Sequence, residues 1–186
     1  RPSTETEAAC RCLALLAGLG EPVVAEIVRC EGTAHIWFTL KDLGVSGRGR
    51  HTGLVQQIVD VLEQICRHSP KESTPRALDT LLKVCDIYDS EGGVCLLALR
   101  ALNSLFDDIP SLTQLLLKRE RSYAPEDDFS PKAASHTCSL QVILRSAHMH
   151  ERDAELQELA CRIISAAAGL MDEAHCGRSA EDAGWA

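Results

Sequence analysis

The stretch Ala98-Leu-Arg-Ala-Leu-Asn-Ser-Leu105 decides how this chain is read. Its apolar residues recur three and four positions apart, the spacing that lines one face of a helix. Three other segments superpose on it: Ala9-Cys-Arg-Cys-Leu-Ala-Leu-Leu16, Ile58-Val-Asp-Val-Leu-Glu-Gln-Ile65 and Ala160-Cys-Arg-Ile-Ile-Ser-Ala-Ala167. The four starts are separated by 49, 40 and 62 residues. Self-similarity at such a spacing marks a chain built from repeated helical units, each too small to bury its apolar face alone. The two longer steps contain stretches without helical periodicity, about residues 44–51 and 121–136, the second carrying Pro125, Glu126, Asp127, Asp128 and Pro131. Both read as exposed insertions.

Working outward, glycines and prolines punctuate further helices. Gly18 and Gly20 close a first helix from about residue 4, and Pro22 opens a short one that ends at Gly32. Helices are expected over about 34–43, 52–67, 75–88, 94–106, 110–119, 137–148 and 152–168, with Gly169 stopping the last. Residues 1–170 form one repeat domain on this reading, and 171–186 a loose polar tail. The repeated pattern places Leu13, Leu16, Leu62, Ile65, Leu102, Leu105 and Ile163 in contacts between units. The chain starts at Arg1, and its first strong segment looks like the closing helix of a unit, so a piece of a longer or processed protein is expected.

The repeated segments resemble the third helix of an armadillo repeat, a unit of roughly 40 residues, whose family form is Glu-Ala-Leu-Trp-Ala-Leu-Ser-Asn-Leu-Ala. Residues 21–32 followed by 34–43 look like the first and second helices of the next unit, and 108–117 resemble a second helix. The resemblance covers most of residues 4–168, but it is degenerate, and later units lose the short first helix and drift towards helix pairs of the HEAT kind. It implies an all-α fold, an α-solenoid of about four armadillo-like or HEAT-like repeats wound as a right-handed superhelix, with a groove that holds a partner. The positions matching the family's groove-facing Trp are Arg11, Asp60, Arg100 and Arg162. Those matching its Asn are Leu15, Gln64, Ser104 and Ala166. The Trp and Asn ladder with which the importin branch holds a basic peptide is therefore absent, which disfavours a nuclear-import receptor. Three arginines at one repeated position suit a partner bearing carboxylates or phosphates, because a guanidinium matches both in fork geometry. The alternative is that they are solvated or pair with Glu and Asp of their own helices.

Bulk composition agrees with this class. Hydrophobic residues make up 45% of the 186 and aromatics only 4%, a mix of Leu, Ala, Val and Ile that favours packed helices over sheet. Nineteen Lys and Arg against 27 Asp and Glu leave a net charge of −8, which repels a phosphate backbone and disfavours nucleic acid as partner. No run reaches the roughly 18 apolar residues needed to span a bilayer. Nine cysteines are an odd number, and most lie in apolar helical runs where Cys acts as a small hydrophobe. Free thiols in a reducing, cytoplasmic compartment are the expectation, a disulfide framework the alternative.

Signs of catalysis are missing. There is no nucleophile elbow, no phosphate-binding loop and no dinucleotide fingerprint. Cys10 and Cys12, Cys66 and His68, His136 and Cys138, and His148 and His150 each have a one-residue gap, which sends the paired side chains to opposite sides of a helix and suits no structural zinc site. No cofactor and no metal are expected. The sequence points to a non-enzymatic module that binds another protein as adaptor, scaffold or chaperone-like clamp. The competing expectation is a structural subunit fixed within a large assembly.

Overall fold

A computed structural model describes residues 4–46, 52–69, 75–108, 116 and 139–182, with side chains at all of these but 4, 6, 7, 41–46, 75, 76, 108 and 170–182. Among the described residues there are eight helices and no strand: α1 (Thr4–Ala17), α2 (Glu21–Arg29), α3 (Gly32–Ser46), α4 (Thr52–His68), α5 (Pro75–Ile87), α6 (Gly92–Asp108), α7 (Ser139–Met149) and α8 (Ala154–Asp182). The fold is all-α. The 121–136 insertion, residues 47–51 and nearly all of the helix expected over 110–119 lie outside the described residues. Leu116, described by itself within that span, is helical and buried.

The four helices that carry the superposed segments are neighbours in chain order. α1 packs on α4, α4 on α6, and α6 on α8. A second row runs beside them, α3 on α5 and α5 on α7, and the rows are tied by the α3–α4, α5–α6 and α7–α8 contacts. α2 fills the corner between α1, α3 and α4. The helix periodicity explains the order: α4 turns Leu54, Val55, Ile58, Val61, Leu62 and Ile65 inward, and α6 answers with Leu99, Leu102 and Leu105, all essentially without solvent contact. Each such leucine or isoleucine contributes about 1.5 to 3 kcal/mol when moved from water into this core.

Two local features show why the chain turns where it does. Between α2 and α3 the left-handed residue is Glu31, at φ 56°, and not the adjacent glycine. Gly32 is needed for proximity, since a Cβ there would stand 2.9 Å from the carbonyl oxygen of Ile27. At the start of α8 the carboxylate of Asp153 accepts the backbone N–H of Leu156 at 3.1 Å, which satisfies one of the amides that a helix leaves open at its first turn.

Three expectations are corrected. α3 runs on to Ser46, through the start of the 44–51 insertion, and α8 runs past Gly169 to Asp182, so the described part of the 171–186 tail is helical. A mid-helix glycine costs only about 1 kcal/mol relative to alanine, and neither Gly44 nor Gly169 is followed by a proline that would stop the helix. Among the seven pattern positions expected in the core, Leu62, Ile65, Leu102, Leu105 and Ile163 are buried, whereas Leu13 is half-buried and Leu16 is 44% exposed. Helix α1 stands at one end of the row among the described residues, with α4 and α2 on one side of it.

Candidate functional site

The eight positions matched to the armadillo groove lie on α1, α4, α6 and α8, and all reach solvent. Arg11 and Leu15 on α1 are exposed, as are Arg162 and Ala166 on α8. Asp60 and Gln64 on α4, and Arg100 and Ser104 on α6, are half-buried. The register on the two middle helices follows from packing, because Asp60 lies between the core residues Val59 and Val61, and Arg100 between Leu99 and Ala101.

Charge on this face is arranged in pairs. The guanidinium of Arg100 donates through Nε to Oε1 of Glu155 at 2.7 Å, joining α6 to α8. Arg162 donates to Glu158 one turn earlier in α8 at 2.7 Å. On α4, Arg67 pairs with Glu63, whose other oxygen accepts the side-chain N–H of Gln64 at 2.7 Å. Arg11 has no carboxylate partner among the residues whose side chains are described. The arginines read from sequence as a row for an acidic partner are thus, at Arg100 and Arg162, already matched by carboxylates of the same chain, and the pair at Arg100 crosses between helices.

Burial sets the protonation of the two acids in the middle of the strip. Loss of solvent raises the carboxyl of Asp60 above its ordinary range, partly offset by the nearby charges of Arg100 and Arg67. Glu63, with 1% of its surface exposed, is raised for the same reason against Arg67 and Arg100. The exposed pairs at Arg100 and Arg162 are different in kind. Pairs in solvent contribute about 0 to 1 kcal/mol each, so a partner group can replace Glu155 or Glu158 at little cost.

Helices α6 and α8 leave a cleft of about 450 Å³ at their seam. Asn103, Phe106 and Asp107 line it from α6, and Arg162, Ile163 and Ala166 from α8. The Asn103 amide donates to Asp107 at 3.0 Å. Ser104, the residue that the superposition put at the Asn position, spends its hydroxyl on the carbonyl of Arg100 in its own helix at 3.1 Å. Asn103 is therefore the amide that borders the cleft, a residue the sequence reading passed over although it lies next to Ser104. A second cleft, about 370 Å³ and mostly apolar, opens between α1, α3 and α4, with Leu13, Ile36, Ile58 and Val61 in its wall and His35 and Cys10 among its polar atoms. No pattern in the sequence marked it, since its residues come from three helices.

No group of three or more His, Cys, Asp or Glu side chains among the described residues is arranged to hold a metal ion. None of the seven cysteines whose side chains are described is in a disulfide. No helix among the described residues is long and apolar enough to cross a membrane. The chain matches no protein-family model, no curated protein and no solved structure at a significant level.

Proposed function

We propose that this chain is a non-enzymatic protein-interaction module of the armadillo-like α-solenoid class, in which the face of α1, α4, α6 and α8 receives a segment of another protein. The observation that carries the reading is the order of packing: four helices with superposable sequences lie side by side in chain order. A row of that kind presents equivalent positions at regular intervals, the geometry that suits an extended ligand. The face offers Arg11, Leu15, Asp60, Gln64, Arg100, Ser104, Arg162 and Ala166, with Asn103 added beside the α6–α8 cleft. Its exposed ion pairs are weak enough to exchange, so a partner carboxylate or phosphate group competes with Glu155 and Glu158 for Arg100 and Arg162. An adaptor, scaffold or clamp in a reducing cytoplasm is the role that follows.

A photo-crosslinking side chain placed at Asn103, on this face, and in a second sample at the exposed Lys83 of α5, on the other row, tests the proposal in cells. Crosslinks to a defined partner from position 103 and none from 83 support it; the reverse pattern defeats it. A fixed subunit of a larger assembly is the second reading, favoured by the exposed Phe38 on α3 and Leu144 and Met149 on α7. These lie on helices separated by α5, whose exposed Lys83 is charged, and scattered single apolar residues are ordinary on a protein surface.

A further inference from the structure

We infer that the outward side of α1 is a self-association surface, which pairs antiparallel with the same surface of a second copy of this chain. Helix α1 is apolar on two opposite sides. Cys10, Leu13, Ala14 and Ala17 pack in or against the core, which α1 meets through α4 and α2. Ala8, Cys12, Leu15 and Leu19 follow one another at steps of four, three and four residues, and all four are exposed, Leu15 at 76% and Leu19 at 71%. At about 100° per residue these steps keep the four within about 60° of one another and centre them opposite the core-facing set. Gly18 and Leu19 lie beyond the last residue of α1, yet their N–H groups still donate to the carbonyls of Ala14 and Leu16 at 3.1 and 3.0 Å. The coil therefore continues far enough to bring Leu19 onto the stripe.

Single exposed apolar residues are ordinary on a protein surface, but a seam that alternates steps of three and four is the pattern with which helices pair. The order of sizes along the seam selects a second copy as the occupant. Small residues, Ala8 and Cys12, stand in its first half and leucines in its second. Against a copy running the same way, small would face small and leave a gap, while leucine would crowd leucine. Against a copy running the opposite way, Ala8 faces Leu19 and Cys12 faces Leu15, so each gap receives a leucine. The same two contacts recur on both sides of the two-fold axis, and the stripe is complementary to itself reversed.

Charge fixes the register. Glu5 stands one step of the same spacing before Ala8 and is exposed. A slip of seven residues between the copies would set Glu5 against Leu15 and leave Leu19 without a partner, so the slipped pair is penalised by a desolvated carboxylate. Leu16, 44% exposed, widens the seam on one edge. Three leucines and two small residues cover less than the about 1,200 Å² at which stable interfaces begin, so the dimer is concentration-dependent and not permanent. The surface shares Leu15 with the partner face proposed above, but it does not rest on that reading, because association is measured with this chain alone.

Sedimentation equilibrium of the intact chain in reductant, at concentrations up to about 1 mM, should show monomers in exchange with dimers. Leu15→Glu and Leu19→Glu should each weaken association by about tenfold or more, the effect of losing one buried leucine at an interface. Circular dichroism should be unchanged, because both positions are exposed. Leu144→Glu, which replaces an exposed leucine on α7, should leave association as it was. The direction of pairing is read by mixing the unaltered chain with a Cys12→Ser, Leu15→Cys variant, oxidising briefly and mapping linked peptides by mass spectrometry. The expected link joins Cys12 of one copy to the cysteine introduced by Leu15→Cys in the other. Links of Cys12 only to Cys12 mean a parallel pair and overturn the proposal. A chain that stays monomeric at every concentration overturns it too, as does association that survives both glutamates or is lost equally with Leu144→Glu.

Discussion

Arg100 on α6 and Glu155 on α8, far apart in sequence, meet in a pair in which Nε and Nη2 of the guanidinium converge on one carboxylate oxygen, at 2.7 and 2.6 Å. The pair bridges the same two helices that border the larger cleft. It links the packing of the row to the chemistry of its outward face, because any group that competes for Arg100 must loosen that bridge.

Reversing Arg100 and Arg162 to Glu should weaken binding of an acidic partner segment by about 1 to 3 kcal/mol for each pair desolvated in the complex. Stability should change by less than about 1 kcal/mol per lost exposed pair. Titration calorimetry beside thermal melts of the same samples measures both. Unchanged affinity removes this face from the interaction.

Core truncation should behave in the opposite way. Leu102→Ala deletes a side chain with no solvent exposure and should cost about 2 to 5 kcal/mol in urea unfolding. Leu16→Ala, at a position 44% exposed, should cost well under that. Equal losses at the two sites would contradict the placement of α1 at an end of the row.

The buried carboxyl of Glu63 gives a pH signature. Because burial raises it above the ordinary carboxylate range, the folded chain holds this proton more tightly than the unfolded chain does. Protonation therefore stabilises the fold, and that stabilisation is lost as pH rises from the ordinary range through the raised value. Glu63→Gln removes the titration. The stability of the variant relative to the parent should increase as pH rises above the ordinary carboxylate value of about 4, and a parallel pair of melting curves above that pH would contradict the assignment.

Asp153→Ala should cost about 1 kcal/mol through loss of the cap on the Leu156 amide. Asp153→Asn, which keeps an acceptor oxygen, should recover most of it. Chemical denaturation of the three proteins separates a capping effect from a general charge effect.

Much of this was legible in the sequence, for reasons that particular residues display. The 40-residue step from Ile58 to Ala98 appears directly as the packing of α4 on α6, since two apolar stripes of equal period have each other to bury against. The end of α8 was not legible. Gly169 reads as a stop, but glycine ends a helix only when a left-handed turn or an unfavourable following sequence agrees with it. Asp153 was a readable signal that was missed, an acceptor side chain immediately before the apolar run of α8. On the candidate face, the superposition found positions that reach solvent, yet it could not show that Glu155, fifty-five residues along the chain, lies against Arg100. Nor could it distinguish Asn103 from Ser104, because a choice between adjacent residues on a helix turns on which neighbouring helix stands on each side.

The contacts of α4 and α6 also have a consequence in time. These two helices lie against each other, and every other helix of the first row attaches to one of them, α1 to α4 and α8 to α6. Opening the chain from either end exposes one helix face at a time, while opening it in the middle exposes both neighbours at once. Amide hydrogens around Leu62 and Leu102 should therefore exchange with solvent last, and those of α1 and α8 first. A ligand resting across the α6–α8 seam would then act as a brake, lengthening the intervals between departures of α8 from the row, and its presence could be read from the exchange rate of that helix before any change of shape was visible.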